Sequence, residues 1–494
     1  MGYKKFMLVI NRIPTLLASA LLIGLVGCNS DDDETDGYIQ FYNASPNAPK
    51  LFLIVDKNDD DDYDEVIHTG VSYAQSTGYL EYEVDAYDIE IAWQDDDDTN
   101  NLETIYTDQL QVTEDNIQFV VINEDISNPN VLIFDTPVID DDDDLDDDLF
   151  NIRFLNMHSW SAGIDIYLSK SNETFNEAML IGQYNYSEIS QNIKFEQDDY
   201  IFYITSAGSS DILYQSDEIS YPSTAQYVMV IRQNIGSGSS PFILDKVSSS
   251  SRVVEYPDAD AEGKFRVYNG ITHHQLLPSY QGVFDLHLDG IDTSAEISSL
   301  ALGEFSHSFL TSFGDYSMSL TLEASDQTLV DNHLLTLDIN SDKSVFFYLL
   351  EEDVDEDGDG DVDENGDGYV DEIEVTINSL IVNNNPYESI YDHQVNVINL
   401  VDEFKSLDVY FVRSDETIET ADYSTKAYYT TPHAITLRNN TYSVYVIAEE
   451  DSSELILATF ELTLDETSQD LFLILEEDVD SATGYKMSFQ NQKI

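Results

Sequence analysis

The sequence predicts an all-β protein, a tandem array of four antiparallel β-sandwich domains, and three observations carry that expectation. An alternating strand that closes on Asn recurs at Asn43, Asn156, Asn269 and Asn399, with spacings of 113, 113 and 130 residues. In each unit a turn then leads into a Tyr that starts another alternating strand, at Tyr87, Tyr200, Tyr316 and Tyr442. A strongly apolar run follows in each, FVVI, YVMVI, VFFYLL and LFLIL in turn. Period-2 alternation, aromatic and β-branched enrichment and frequent turn signals read as sandwiches of about 100 residues. Helical periodicity is nearly absent.

Composition sets the outer bounds. The chain has 494 residues, 97 of them Asp or Glu against 20 Lys or Arg, for a formal net charge of −77. Its 32 Tyr, 23 Phe and 42 % hydrophobic residues provide the bulk to fold despite that charge. Nucleic acid is excluded as a partner, because binding phosphate backbones depends on Lys and Arg. A single Cys excludes a disulfide framework and any zinc site of two or more thiolates. The chain has no phosphate-cradling Gly loop followed by Lys, which argues against a nucleotide. It also lacks a Gly-x-Ser-x-Gly elbow and a His-Glu-x-x-His motif, so the expectation is a protein that is not an enzyme. His273 and His274 are the only adjacent His pair, and as neighbours on a strand they would face opposite ways.

Taken in order, residues 1–27 carry Lys4, Lys5 and Arg12, no acid, and an apolar stretch from 16 to 27. That stretch is too short to span a bilayer, which takes about 20 apolar residues, but it suits an export signal. It ends in Leu25-Val26-Gly27-Cys28, which resembles the bacterial lipobox. The resemblance implies lipidation of Cys28 by palmitate-type chains and a membrane partner reached through that N-terminal lipid. Asn29 in place of an Asp favours the outer membrane of the cell envelope. Residues 28–36 form an acidic tether. Sandwiches are then expected over 37–139, 150–247, 264–382 and 392–494, with linkers at 140–149, 248–263 and 383–391 that bury nothing. Like-charge repulsion in 140–149 should extend that linker, giving beads on a string. The four repeated Tyr are expected to be tyrosine corners, whose hydroxyls bond back to the preceding backbone.

Unit 1, with Tyr42-Asn43-Ala44-Ser45-Pro46-Asn47-Ala48-Pro49, Gly78-Tyr79-Leu80 and Ala86-Tyr87-Asp88-Ile89-Glu90, resembles the domain of unknown function 4397 family of exported bacterial lipoproteins. Its second strand pattern returns as Ile164-Asp165-Ile166-Tyr167, Phe284-Asp285-Leu286-His287 and Leu407-Asp408-Val409-Tyr410. Units 2 to 4 lack the Ser-Pro signature and share only the register. The resemblance implies an immunoglobulin-like sandwich and carries no catalytic residues.

The longer third spacing arises from an acidic insertion at 353–372. Unit 3 continues Leu350-Glu351-Glu352-Asp353-Val354-Asp355, and unit 4 has the same run at Leu475-Glu476-Glu477-Asp478-Val479-Asp480 without the insertion. Within it Asp361, Asp363, Asn365, Gly366 and Glu372 satisfy the calcium-loop spacing, and Asp353, Asp355, Asp357, Gly358 and Glu364 satisfy it eight residues earlier. Alternate oxygen ligands must converge on a hard cation while Gly allows the sharp turn. The expected calcium ligands are the side chains of Asp353, Asp355, Asp357, Asp361, Asp363, Asn365 and Glu372, with Asp367 contributing its carbonyl. Flanking strands and Gly368 set this loop apart from a paired helix–loop–helix sensor; it is similar to the aspartate loops of thrombospondin-type-3 repeats. The functional expectation is a membrane-anchored, non-enzymatic interaction scaffold with an envelope protein or glycan as partner. The alternative is a carbohydrate-binding or carbohydrate-active surface protein, for which the presence of only two Trp, Trp93 and Trp160, is a poor endowment.

Overall fold

The computed structural model describes residues 36–57, 62–94, 102–140, 142–159, 163–291, 294–323, 325, 327–354, 370, 373–450 and 453–493. Over these residues the fold is all-β, with eight sheets in four face-to-face pairs. In the first unit one sheet runs, in spatial order, Leu80–Glu83, Asp36–Asn43, Asn116–Asn123 and Asn130–Pro137. Its companion runs Val66–Ile67, Leu51–Asp56, Ala86–Trp93 and Glu103–Gln111. The other three units repeat this plan, the second with additional short strands. Each unit also contains one parallel ladder among the antiparallel ones. The opening strand lies parallel to the apolar strand, with Phe41 opposite Val120, Phe154 opposite Met229, Val267 opposite Val345 and Val397 opposite Leu473.

Alternation along these strands sends every second side chain into a core of the unit's own. Ile39, Phe41, Ile89 and Val120 fill the first. Phe154, Ile166, Phe202 and Met229 fill the second, Val267, Phe284, Leu320 and Phe347 the third, and Val397, Val409, Tyr442 and Leu473 the fourth.

The two repeated landmarks have structural jobs. All four strand-closing Asn residues are fully buried. Each accepts a bond at Oδ1 from the backbone N–H two residues on, at Ser45, His158, Ile271 and Val401, over 3.0–3.1 Å. Each donates from Nδ2 to carbonyls of a later segment, such as Val71, Tyr184, Leu300 and Ala427. A carboxamide has both the donor and the acceptor this clip requires, which a hydrophobic residue lacks. The four Tyr are tyrosine corners: their hydroxyls donate to the carbonyl four residues back, at Glu83, Glu196, Ser312 and Arg438, over 2.6–3.1 Å.

A third recurring contact is absent from the sequence reading. The hydroxyls of Thr77, Ser190 and Ser306 accept the opening strand's backbone N–H at Phe41, Phe154 and Val267. The signal was available, since these hydroxyl residues stand 34, 34 and 37 positions after the clip Asn.

Beads on a string is the wrong picture. The outward faces of the opening sheets also carry apolar side chains, beside buried Gln40, Arg153 and Arg266, and they pack in pairs. Tyr42, Phe119 and Val121 of unit 1 meet Leu155, Val228 and Val230 of unit 2. Tyr268, Phe346 and Tyr348 of unit 3 meet Ile398, Phe472 and Ile474 of unit 4. The interface positions are equivalent, because Tyr42, Leu155, Tyr268 and Ile398 each immediately precede the clip Asn. Runs such as FVVI and VFFYLL are apolar throughout because both their faces are covered.

Further contacts join the pairs. Trp93 of unit 1 stacks on Tyr391 at 4.4 Å and 12°. Asn234 and Asn340 exchange amide bonds between units 2 and 3, at 3.2 and 3.0 Å.

The connecting segments also bury residues, contrary to expectation. Residues Asp142–Asp146 form a short helix whose Asp144 is 1 % exposed. Ser248 and Ser249 accept bonds from Gln40 and Tyr79 of unit 1, and Val254–Tyr256 adds a strand to the second unit's sheet. Asn384 is buried and bonded to Asp342 and Ser344. Repulsion among acids is screened within about 8–10 Å in physiological salt, whereas each large apolar side chain covered contributes roughly 1.5–3 kcal/mol. Burial wins.

Candidate functional site

The acidic insertion is carried by a hairpin whose arms, Asp342–Asp353 and Ile373–Asn383, pair continuously from Lys343–Asn383 out to Asp353–Ile373. The residues that flank the insertion, Asp353 and Ile373, are therefore direct partners on two paired strands. The matching hairpin of unit 4 turns earlier. Measured from the residue paired with the clip Asn, Phe347 in unit 3 and Leu475 in unit 4, the third-unit ladder runs six residues further and the fourth-unit ladder two. At about 3.3 Å per residue the extra four residues make the third-unit stem roughly 13 Å longer.

This register corrects the equivalence of the two Leu-Glu-Glu-Asp runs. Leu475 stands level with Phe347, not with Leu350. Glu476 is consequently 4 % exposed and ion-paired with Lys486 at 3.4 Å, whereas Glu351 lies out on the stem with His274 Nε2 3.1 Å away. Burial raises the Glu476 carboxyl above the usual carboxylate range. Burial also raises Glu477, with Asp402 beside it pushing the same way. Tyr429 of unit 4 donates to the Leu349 carbonyl at 2.8 Å and braces the stem. His273 and His274 lie in a loop after the strand Gly263–Gly270, not on a strand.

Of the expected calcium ligands, Asp353 is exposed at the end of the stem. Asp355, Asp357, Asp361, Asp363, Asn365, Asp367 and Glu372 lie outside the described residues, as do Cys28 and its leader. Among the described residues no group of three or more His, Cys, Asp or Glu side chains is placed to hold a metal ion. None of their helices is long and apolar enough to cross a membrane.

A second polar centre, missed in the sequence, sits where units 1 and 2 meet. Arg232, 2 % exposed, bonds through Nε to Asp245 Oδ2 at 2.6 Å and through a terminal nitrogen to Glu255. Tyr42 donates to the same Asp245 oxygen at 2.5 Å, and burial with the Asp245 charge drives its hydroxyl well above the usual range. The Tyr73 ring lies 5.0 Å from the Arg232 guanidinium and 5.0 Å from the Tyr387 ring. One visible signal was an Arg inside an otherwise apolar strand, YVMVIRQ, in a chain with few basic residues. Between units 1 and 4 a cleft of about 210 Å³ is lined by Tyr73, Tyr387, Ser72, Gln394, Thr436 and Asp470. It shares Lys50 and Ser72 with a second cleft of about 440 Å³ in unit 1. Trp93 is 8 % exposed under Tyr391 and offers no open ring face, while Trp160 lies outside the described residues.

Comparison with solved structures gives distant likenesses. The Bacillus anthracis TIE protein is 8 % identical over 90 % of this chain and 68 % of that one, with a TM-score of 0.15. A putative adhesin from Bacteroides ovatus is 9 % identical over 46 % of this chain and 97 % of that one, with a TM-score of 0.14. At such scores neither carries an argument. No curated protein matches the chain. The family comparison is narrower and firmer: residues 37–167, which hold the first sandwich and the opening strands of the second, match the model of a domain of unknown function (DUF4397).

Proposed function

We propose that the chain is a lipid-anchored, non-enzymatic scaffold of the cell envelope, acting in structure or adhesion, with calcium held by the acidic insertion of its third unit. The observation that supports this reading is the eleven-pair stem, whose last pair, Asp353 with Ile373, stands at the two ends of the oxygen-rich segment. In such a loop carboxylate and carboxamide oxygens would supply the six to eight ligands a hard cation takes. Cys28 would supply the anchor, and the described units would supply a body of stacked sheets.

Calorimetric titration of the whole mature chain with calcium tests the metal. The expected result is heat with a Kd of about 0.1–1 mM, the range of extracellular modules, and its loss in the Asp361→Ala, Asp363→Ala double variant. No heat at millimolar calcium, or heat unchanged in the variant, would remove it. The clefts around Lys50, with Tyr73 and Tyr387 on one wall, favour a glycan as the second reading. Binding of a defined glycan on an array, lost in Tyr387→Ala, would promote that reading.

A further inference from the structure

Asp144, in the acidic stretch between the first two sandwiches, holds an amine with one oxygen and a carboxamide with the other. Its Oδ1 lies 2.6 Å from Lys194 Nζ, and its Oδ2 accepts from Asn151 Nδ2 at 2.7 Å. Lys194 and Asn151 are direct partners on the antiparallel strands Ile193–Glu196 and Leu149–Asn156, so their side chains leave the same face of the sheet. The Cβ atoms of such partners stand about 5 Å apart. Asn192 Nδ2 completes the group by donating to Asn151 Oδ1 at 2.7 Å. Asp144 is 1 % and Asn151 2 % exposed, which keeps bulk water from the carboxamide, while the Lys194 side chain reaches it from the surface and is 36 % exposed.

An ion pair that merely fastened the linker would need only the lysine and the aspartate. Here the carboxamide is engaged at both ends, its nitrogen by a carboxylate and its oxygen by a hydrogen-bond donor. That is the arrangement that activates an amide toward attack, because negative charge developing on Oδ1 meets a preplaced N–H. The nearby amine is the nucleophile, and fixing it beside its target replaces a bimolecular encounter with an intramolecular one.

We infer that Lys194 and Asn151 become joined by an amide bond, with Asp144 carrying the protons. Asp144 takes a proton from the Lys194 ammonium, and the freed lone pair of Nζ attacks Cγ of Asn151. The Nζ–Cγ bond forms and the Cγ–Nδ2 bond breaks. The two protons shed by Nζ end on Nδ2, which departs as ammonium, and Asp144 finishes as the carboxylate it began as. No oxidant, reductant or metal enters the balance. The link would staple two adjacent strands of the second unit covalently. A grouping of the same residue types occurs in unit 3, where Asp342 contacts Lys264 and Asn384. There the two partners come from either side of the Asp342 strand and are not cross-strand partners of each other, as Lys194 and Asn151 are.

Intact mass and tryptic mapping of the purified whole chain test the inference. The expected mass falls short of the sequence by one ammonia, and a single tryptic species joins the peptide containing Asn151 to the one containing Lys194. Asp144→Ala and Lys194→Arg should each restore the full mass. If the wild-type chain has its full mass, or has lost ammonia while the two peptides are recovered separately, the link does not exist. The wild-type measurement decides even where a variant fails to fold.

Discussion

At the scale of single residues, the four repeats keep what the backbone cannot do without. The clip Asn is worth more than the corner Tyr, because its removal strands several buried groups at once. Asn399 bonds the Val401 N–H and the Phe404 and Ala427 carbonyls, and is fully buried. Asn399→Ala is expected to cost roughly 3 kcal/mol, given about 1–3 kcal/mol for a buried group left unpaired. Tyr442→Phe removes one bond, to the Arg438 carbonyl, and should cost about 1 kcal/mol. Chemical denaturation followed at the fourth unit would rank them; equal costs would contradict the clip.

Asp470, 3 % exposed, gives a pH signature of the same unit. Burial pushes its carboxyl up to about 6, against the pull of the Gln394 N–H and the Asn385 amide that bond it. The ordinary value is about 3.9. Below pH of about 4 the group is protonated in both folded and unfolded chains and contributes nothing. Between about 4 and 6 the unfolded chain releases the proton while the folded chain keeps it, so stability falls as pH rises. Above that window the loss is constant, of order 3 kcal/mol. A carboxyl titration by NMR should place the Asp470 midpoint near 6. A midpoint in the ordinary range would show the site to be wetter than its burial suggests.

At the scale of elements, strand positions were legible because burial on a sheet alternates and the clip Asn and corner Tyr mark register. What covers the outward faces was not. A run such as Val345-Phe346-Phe347-Tyr348 announces that both faces are apolar without saying what lies against the second. Nor could the shared Leu-Glu-Glu-Asp letters reveal that the two copies sit three residues apart in register, since that offset is fixed by pairing with the opening strand. Phe346 separates the two kinds of burial, being fully buried between units 3 and 4 and not within a unit's own core. Phe346→Asp would place a charge there at a cost of several kcal/mol. Hydrogen exchange is expected to quicken on the facing sheets of units 3 and 4 and to stay unchanged in units 1 and 2. Faster exchange throughout the chain would mean that the pairs do not behave as separate bodies.

For the whole molecule, the charge count misled. A net −77 suggests an extended chain, yet the fully buried side chains include Arg232 and Arg266, two of the few cations, both at joints between units. Arg266 reaches the Asn491 carbonyl at 2.5 Å and lies 3.9 Å over the Phe305 ring. The acids crowd loops and outer strands, where they leave the apolar joints intact. Solution X-ray scattering of the folded chain should therefore give a radius of gyration nearer the roughly 23 Å of a compact body of this length than the much larger value of a row of separated units. It should change little with salt. Strong shrinkage on adding salt would restore the extended picture.

The parallel ladder also bears on mechanics. In each unit the opening strand is held along five to seven registered pairs by a strand pointing the same way. A pull on that strand along its own axis loads all those rungs together in shear, rather than peeling them open one at a time. A chain fixed at one end and tugged by whatever it grips would thus resist at the first strand of every module.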